Sequence, residues 1–319
     1  MKPVLKKIGV AVGTLIFVLV FNFFLFRIAG NPKNDLIRGN PRLSEAGRER
    51  LIHQRGLDQG YLTQFRIYVD DTLHGDFGTS FQTNQPVSEM MWAALPNTLI
   101  LVGISTLLAT FIGSWLGIYA AANRGSPGDT GVVQTSLFFY AMPDFWAGMV
   151  LIWFFAVEVG LFPTGQKSEP GASFSTLGYM WNVAQHATLP IITLTIGILG
   201  QYVVIMRSSL ADVMGEDFVT TARAIGLPGH RVLRRATRNA ILPVVALSAI
   251  TLGFVVSGAT VVETLFSWPG MGLLSYNAIL NKDYPVMQGV FLVASAGVIV
   301  ANLIADLAYT YLDPRVRTS

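Results

Sequence analysis

The sequence predicts an all-α polytopic membrane protein of six transmembrane helices, and three observations carry that prediction. Of 319 residues, 52% are hydrophobic and 13% charged, where an average soluble chain carries about 25% charged residues; mean hydropathy is +0.50. The apolar residues gather into runs of roughly 20, the length that crosses a hydrocarbon core as a helix. Basic residues collect between alternate runs, as the positive-inside rule requires of cytoplasmic loops. The formal net charge of +3 is too small to point to nucleic acid as a partner.

The first run, about residues 8–28, follows Lys2, Lys6 and Lys7. It exceeds the ~7–15 residues of a signal-peptide core and no small-x-small site follows it. Residues 1–29 therefore read as a cytoplasmic N-terminus and a retained helix. Residues 30–95 form an extracytoplasmic helical segment. Ser44 is placed to cap a helix that runs to Arg55 and stops at Gly56. Asp58 is placed to cap a second helix, with Tyr61, Phe65, Tyr68 and Leu73 on one face and Gly75 as its stop. The GDFGTS stretch, Gly75–Ser80, reads as a turn. Residues 31–95 hold seven basic and eight acidic side chains, a balance that fits either a small helical cap or a contact surface for an external partner.

Residues 96–311 hold the other five spans. Span two covers about 97–122, with Pro96 at its start, where a missing N–H costs nothing. Asn123–Gly128 is a tight cytoplasmic turn, and span three, about 132–159, is kinked at Pro143-Asp144. Residues 161–185 lie outside, and span four, about 187–206, opens on Pro190. A polar loop, 207–243, leads to span five, about 244–266, with Pro243 in its first turn. Residues 267–285 are external, with a sharp turn at Pro269–Gly272, and span six covers about 286–311 before the 312–319 tail. The short outside loops hold Lys167 and Lys282, whereas Arg124, six loop arginines, Arg315 and Arg317 fall inside with the N-terminal lysines. Both termini are thus expected in the cytoplasm.

Catalytic chemistry is scarce. There is no cysteine, and the four histidines are dispersed with no i, i+4 pair. The stretch Gly160–Ser168 approaches a phosphate-binding P-loop, but Gln166 separates the second glycine from Lys167 and the segment lies outside. Ser257-Gly258 in span five has no histidine at matching depth to activate it, which argues against an intramembrane protease. Four ionisable residues, Asp144, Glu158, Glu263 and Asp306, lie in or at the ends of spans, where a charge at the bilayer centre costs ~2.5–3.5 kcal/mol or more. Glu158 and Glu263 are expected at the outer interface, and Asp306 as a capping or pairing group. Proton-coupled secondary transport remains an alternative, although no internal repeat of the kind such transporters carry is visible.

The 207–243 loop is the element left to explain. Six arginines (Arg207, Arg223, Arg231, Arg234, Arg235, Arg238) face three acids (Asp212, Glu216, Asp217). Glu216 and Asp217 suit the positive end of a helix dipole. Phe218, Ala222 and Ile225 then fall on one apolar face with Val219 alongside, before Gly226 and Pro228 end the helix. A basic helix over about 231–240 follows. A helix of about eight residues is marginal in water by itself, so its apolar face needs a receiving groove on a partner; the alternative is a surface helix drawn to anionic lipid.

The order of motifs GLD (Gly56–Asp58), HGDFGTS (His74–Ser80), LPNTL, LGIYAA, RSSLADVM, EDFVTTARAIGL, ETLFSWPGMG, NKDYPVMQG and LDPRVR resembles the B-type permease subunits of dipeptide and oligopeptide ATP-binding-cassette importers. The resemblance covers nearly the whole chain. It implies a type I importer permease fold and a translocation path for di- or oligopeptides. It implies as partners a homologous second permease, two cytoplasmic ATPase subunits or one fused ATPase, and an extracytoplasmic substrate-binding protein. ATP and Mg would be bound by the ATPases, leaving this chain with no cofactor and no ATPase site of its own. Asp217, Phe218, Thr221, Ala222, Arg223, Ala224, Gly226 and Leu227 would form the coupling helix and its stop. Thr220 stands where the broader importer pattern has a glutamate, as is common in the peptide branch, and Arg235 stands where peptide permeases often have histidine. Relatives that carry nickel, glutathione or another small solute keep the substrate class open.

Overall fold

The computed structural model describes residues 2–29, 44–54, 56–171, 175–253 and 259–312. Among them helices account for all regular structure beyond one isolated bridge between Thr79 and Pro86. In chain order they are α1 (Lys2–Ala29), α2 (Glu45–Gln54), α3 (Tyr61–Leu73), α4 (Val87–Ala122), α5 (Pro127–Tyr140) and α6 (Asp144–Leu151), which continues as a π-helical turn, Ile152–Glu158. Then come α7 (Thr176–Val213), α8 (Asp217–Ala224), α9 (Gly229–Ala240), α10 (Leu242–Gly253), α11 (Thr260–Leu265), α12 (Met271–Leu280) and α13 (Tyr284–Leu312).

By length and composition, α1, α4, α7 and α13 can each cross a membrane, and α5 with α6, bent by 97°, has the length and composition for a fifth broken span or a re-entrant loop. The predicted span five appears as α10 and α11 on either side of residues 254–258, which fall outside the described residues together with Ser257. The 313–319 part of the tail and the side chain of Asp306 fall outside them too. Two predicted helix starts move outward. Pro96 and Pro190 lie inside α4 and α7 and do not open them. The extra turns form because Val87, Met91 and Ala94, and His186, Ala187 and Leu189, are buried on neighbouring helices. Packing of this kind lets a membrane helix absorb an interior proline. Asn97 Nδ2 donates to Ala93 O at 3.2 Å, next to the carbonyl that Pro96 leaves without an amide. At Pro143 the outcome is larger than the expected kink. The chain leaves helical geometry over Ala141–Pro143, since a residue before proline disfavours it, and restarts as α6.

The bundle is organised around the α4–α7 pair, where Gly113 and Gly117 form a G-x-x-x-G step. A Cβ at Gly113 would lie 2.5 Å from Tyr202 Cβ, and one at Gly117 2.7 Å from Met206 Cβ. Small residues at this spacing let two backbones approach closely, which drives helix association where lipid removes the hydrophobic advantage. Gly117→Val is therefore expected to separate the two helices. The check is size-exclusion profiling of detergent-solubilised protein, and an unaltered monodisperse peak would contradict this role.

In the segment ahead of α4, Ser44 caps α2 as expected, accepting from Gly47 N at 3.3 Å, and Gly56 stops it with φ +60°. Asp58 does not cap α3. Gly60 occupies that position without a side-chain bond, and Asp58 lies 2.7 Å from His53 Nδ1. Of the four residues expected on one packed face, Phe65 meets Phe23 of α1 edge-on and Tyr68 meets it at a tilt (ring centroids 5.2 and 5.5 Å), while Tyr61 and Leu73 are exposed. Burial pushes the Tyr68 phenol above its usual pKa. Gly75 ends α3 with φ +77°.

Two carboxylates hold the end of the bundle opposite the 207–243 loop. Glu158 is exposed, as an interfacial residue would be, but Glu263 is fully buried and corrects the expectation for it. Glu263 accepts from Thr98 Oγ1 at 2.6 Å and from Leu273 N at 3.0 Å, so from α11 it caps the first turn of the next helix, α12. Thr98 Oγ1 in turn accepts from Met271 N at 2.7 Å, and Asn97 Nδ2 donates to Pro269 O at 2.8 Å. Gly270 is a glycine because a Cβ there would collide with the Glu263 carboxylate, and Gly272 because one would lie 2.5 Å from Thr260 Cα. Asp283 plays a parallel part, accepting from Ser80 Oγ and from Phe81 N at 3.0 Å, which ties the 76–83 turn to the start of α13. The Gly160–Ser168 stretch has no strand before it and rests on the bundle: Gln166 N donates to Phe266 O and His186 Nδ1 to Gly165 O, both at 2.7 Å.

Candidate functional site: the α8–α9 loop

The loop helix is built at both ends by local chemistry. Glu216 stands at the N-cap in an extended conformation, and Asp217 in the first turn meets the positive end of the dipole. Thr221 Oγ1 donates to Asp217 O at 3.0 Å. At the other end Gly226 adopts φ +79°, a conformation that costs a side chain dearly. Gly226 N donates to Arg223 O at 3.0 Å and Leu227 N to Ala222 O at 3.1 Å. These two bonds make a complete Schellman stop, with its accompanying apolar pair Ala222 and Leu227.

The apolar face of α8 does not await a partner's groove, and this corrects the expectation for it. Val219 and Ala222 are buried in a core shared with Tyr202, Met206 and Leu210 of α7 and Val232, Ala236 and Ala240 of α9, with Phe218 and Leu227 packed at its edge. The helix is stable at eight residues because its own chain receives it. Outward it presents Asp217, Thr220, Thr221, Arg223, Ala224, Ile225 and Gly226, and Ile225 is 72% exposed. The eight residues assigned to the coupling helix thus divide. Asp217, Thr221, Arg223, Ala224 and Gly226 form the outer surface, and Phe218, Ala222 and Leu227 brace it.

α9 completes the brace. Val232, Ala236 and Ala240 recur every four residues and are buried, while Arg231, Arg234, Arg235 and Arg238 point outward. Ser209 Oγ donates to Ala240 O at 2.8 Å, which ties the end of α9 back to α7. Arg207 leaves the cluster of loop charges. Its Nε and Nη2 donate to Asp129 Oδ1 and Oδ2 at 2.6 and 2.7 Å, a bidentate clamp from α7 to the first turn of α5. The loop's other five arginines are exposed and make no ion pair among the described residues.

Sequence reasoning missed that clamp, because Asp129 lies 78 residues from Arg207. The available signal was an aspartate just past Pro127-Gly128, in a turn assigned to the same side of the membrane. Asp129→Ala and Arg207→Ala are each expected to lower the thermal midpoint of the purified chain. The exchange Asp129→Arg with Arg207→Asp should recover part of the loss. Equal midpoints in all variants would show that the clamp bears no load.

Apolar crossing helices with a braced, outward-facing loop helix at one end define a multi-pass membrane protein. The chain belongs to the binding-protein-dependent transport system inner membrane component family, whose profile matches residues 113–318. It is 33% identical over 316 residues to the oligopeptide transport system permease protein AppB of Bacillus subtilis, covering 98% of both chains. To the dipeptide transport system permease protein DppB of Escherichia coli K12 it is 34% identical over 333 residues, again with 98% of both covered. To the di/tripeptide transport system permease protein DppB of Pseudomonas aeruginosa it is 33% identical, covering 98% of this chain and 97% of that one. It is thus an inner-membrane permease component of a binding-protein-dependent transporter.

Proposed function

We propose that this permease forms, with a homologous second permease, the translocation pathway of an ATP-driven importer for di- or oligopeptides. The observation that carries the proposal is α8, an eight-residue helix locked to α7 and α9 yet presenting a polar outer face. In this reading Asp217, Thr221, Arg223, Ala224 and Gly226 meet a cytoplasmic ATPase, and Phe218, Ala222 and Leu227 carry its movement into the bundle. Two ATPase subunits, or one fused, hold ATP and Mg, and the chain itself has no ATPase site. An extracytoplasmic binding protein delivers peptide as the bundle alternates between inward- and outward-facing forms. α10, residues 254–258 and α11 are counted together as one span, giving six spans with both termini in the cytoplasm. The peptide class is supported by the names of the relatives, all of them peptide permeases at near-full coverage.

The test is uptake of labelled dipeptide into proteoliposomes that hold the assembled complex, with ATP on the loop side and binding protein on the other. Accumulation should need ATP and ignore a protonophore. Accumulation driven by a proton gradient without ATP would establish the secondary-transport reading instead, and uptake of nickel or glutathione with no peptide uptake would reassign the substrate. Because the chain lacks cysteine, a single Arg234→Cys reports sidedness directly. An impermeant thiol reagent should label it only from the cytoplasmic side.

A further inference from the structure

At the end of the molecule opposite the 207–243 loop, α1, α3, the 76–81 turn and the start of α13 line a half-open cavity of about 150 Å³, roughly ten times what one water molecule needs. Arg27, in the last turn of α1, lines it with Tyr68, Asp71, Asp76 and Gln288. The guanidinium lies 5.1 Å from the Phe23 ring centroid, and its Nε is closed off from solvent with no acceptor among the described residues. Asn22 Oδ1, little more than one helical turn away, is likewise buried without a donor, although Asn22 Nδ2 binds Tyr68 Oη at 3.0 Å and Gln288 O at 3.1 Å. A buried donor left without an acceptor is costly, and here the donor belongs to a cation on the wall of a cavity.

The other charge of the lining narrows the ligand. Asp76 would repel a ligand that is only anionic, whereas one with an oxyanion and an ammonium a few bonds apart suits both walls. The surroundings indicate the source. Phe24 and Ile28 flank Arg27 on the apolar outer surface of α1, and Ile28 is 83% exposed. Arg27 thus stands at the end of a membrane span, at the depth of lipid headgroups. We propose that this cavity binds the headgroup of a zwitterionic phospholipid, its phosphate on Arg27 and its ammonium toward Asp76. A free dipeptide carries the same pair of charges, so the experiment must separate the two.

Native mass spectrometry of the purified, delipidated full-length chain does so, by titration with dioleoylphosphatidylethanolamine or dioleoylphosphatidylglycerol. The first ethanolamine lipid should bind about tenfold or more tightly than the first glycerol lipid. Arg27→Gln should weaken that first event by about tenfold or more while later, unspecific additions are unchanged. Arg27→Lys, which keeps the charge and loses Nε, should fall between. Equal affinity for the two lipids in the wild-type chain overturns the proposal, as does an affinity in Arg27→Lys equal to wild type. Displacement of the first-bound lipid by millimolar dipeptide assigns the cavity to peptide and overturns the lipid source.

Discussion

Gly226→Leu should cut peptide uptake by about tenfold or more while leaving membrane insertion and ATP hydrolysis in place. At φ +79° a leucine pays ~1–2 kcal/mol, and 1.4 kcal/mol already shifts the population of the native loop geometry about tenfold. A Cβ at Gly226 would touch nothing within 4 Å, so the effect is one of backbone conformation and not of crowding. Once the stop opens, Leu227 N loses Ala222 O, and α8 loses its fixed angle to α9. The ATPases would then turn over without moving the bundle. Gly226→Asn separates the causes, because asparagine tolerates the left-handed region and should keep most of the uptake. If Asn and Leu impair uptake equally, the conformational account is wrong. Wild-type uptake in Gly226→Leu would remove the coupling role altogether.

Glu263→Ala should be the most destabilising single change at the opposite end. It strands Thr98 Oγ1 and Leu273 N in a dry interior, at about 1–3 kcal/mol for each buried group left unpaired. A total of about 3 kcal/mol corresponds to a fall in thermal midpoint of roughly 5–10 °C for a chain of this size. Glu263→Gln keeps one acceptor and should lose about half as much. The Gly270→Ala variant, which keeps the carboxylate but invades its place, should resemble Glu263→Ala. Thermal melts monitored by size exclusion measure all three. An unshifted midpoint in Glu263→Ala would mean that the first turn of α12 is held by something else.

Much of this architecture was legible in the sequence because it follows from short-range rules. Apolar runs announce α1, α4, α7 and α13, and Ser44, Gly56, Gly75 and Gly226 mark helix ends through their own backbone preferences. The loop helix was placed within a residue for the same reason. What escaped is what depends on a distant partner. Pro96 and Pro190 look like helix starts until the residues before them find neighbours to bury against. Glu263 looks interfacial until Thr98, 165 residues earlier, is brought beside it. The motifs around Ser80 and Asp283 were recognisable as motifs, but that each explains the other emerges only in three dimensions. Within the candidate site, the periodicity of Phe218, Ala222 and Ile225 correctly showed an amphipathic helix and misassigned what receives it. Val219, which shares the core with Ala222, lies just off that stripe, and Ile225 lies on it yet faces solvent.

The inward packing of α8 also bears on how such a subunit survives its own biogenesis. A docking helix that kept its apolar face for a partner would leave a sticky surface on every copy inserted before the partner arrived. Here most of that face is already sealed by α7 and α9, and the surface left in water is charged or hydroxylated apart from Ala224, Ile225 and Gly226. An orphan copy therefore offers far less greasy surface at this loop than an unpacked amphipathic helix would. Under the coupling role proposed above, recognition by an ATPase would rest mainly on shape and charge, and assembly is expected to be sensitive to salt.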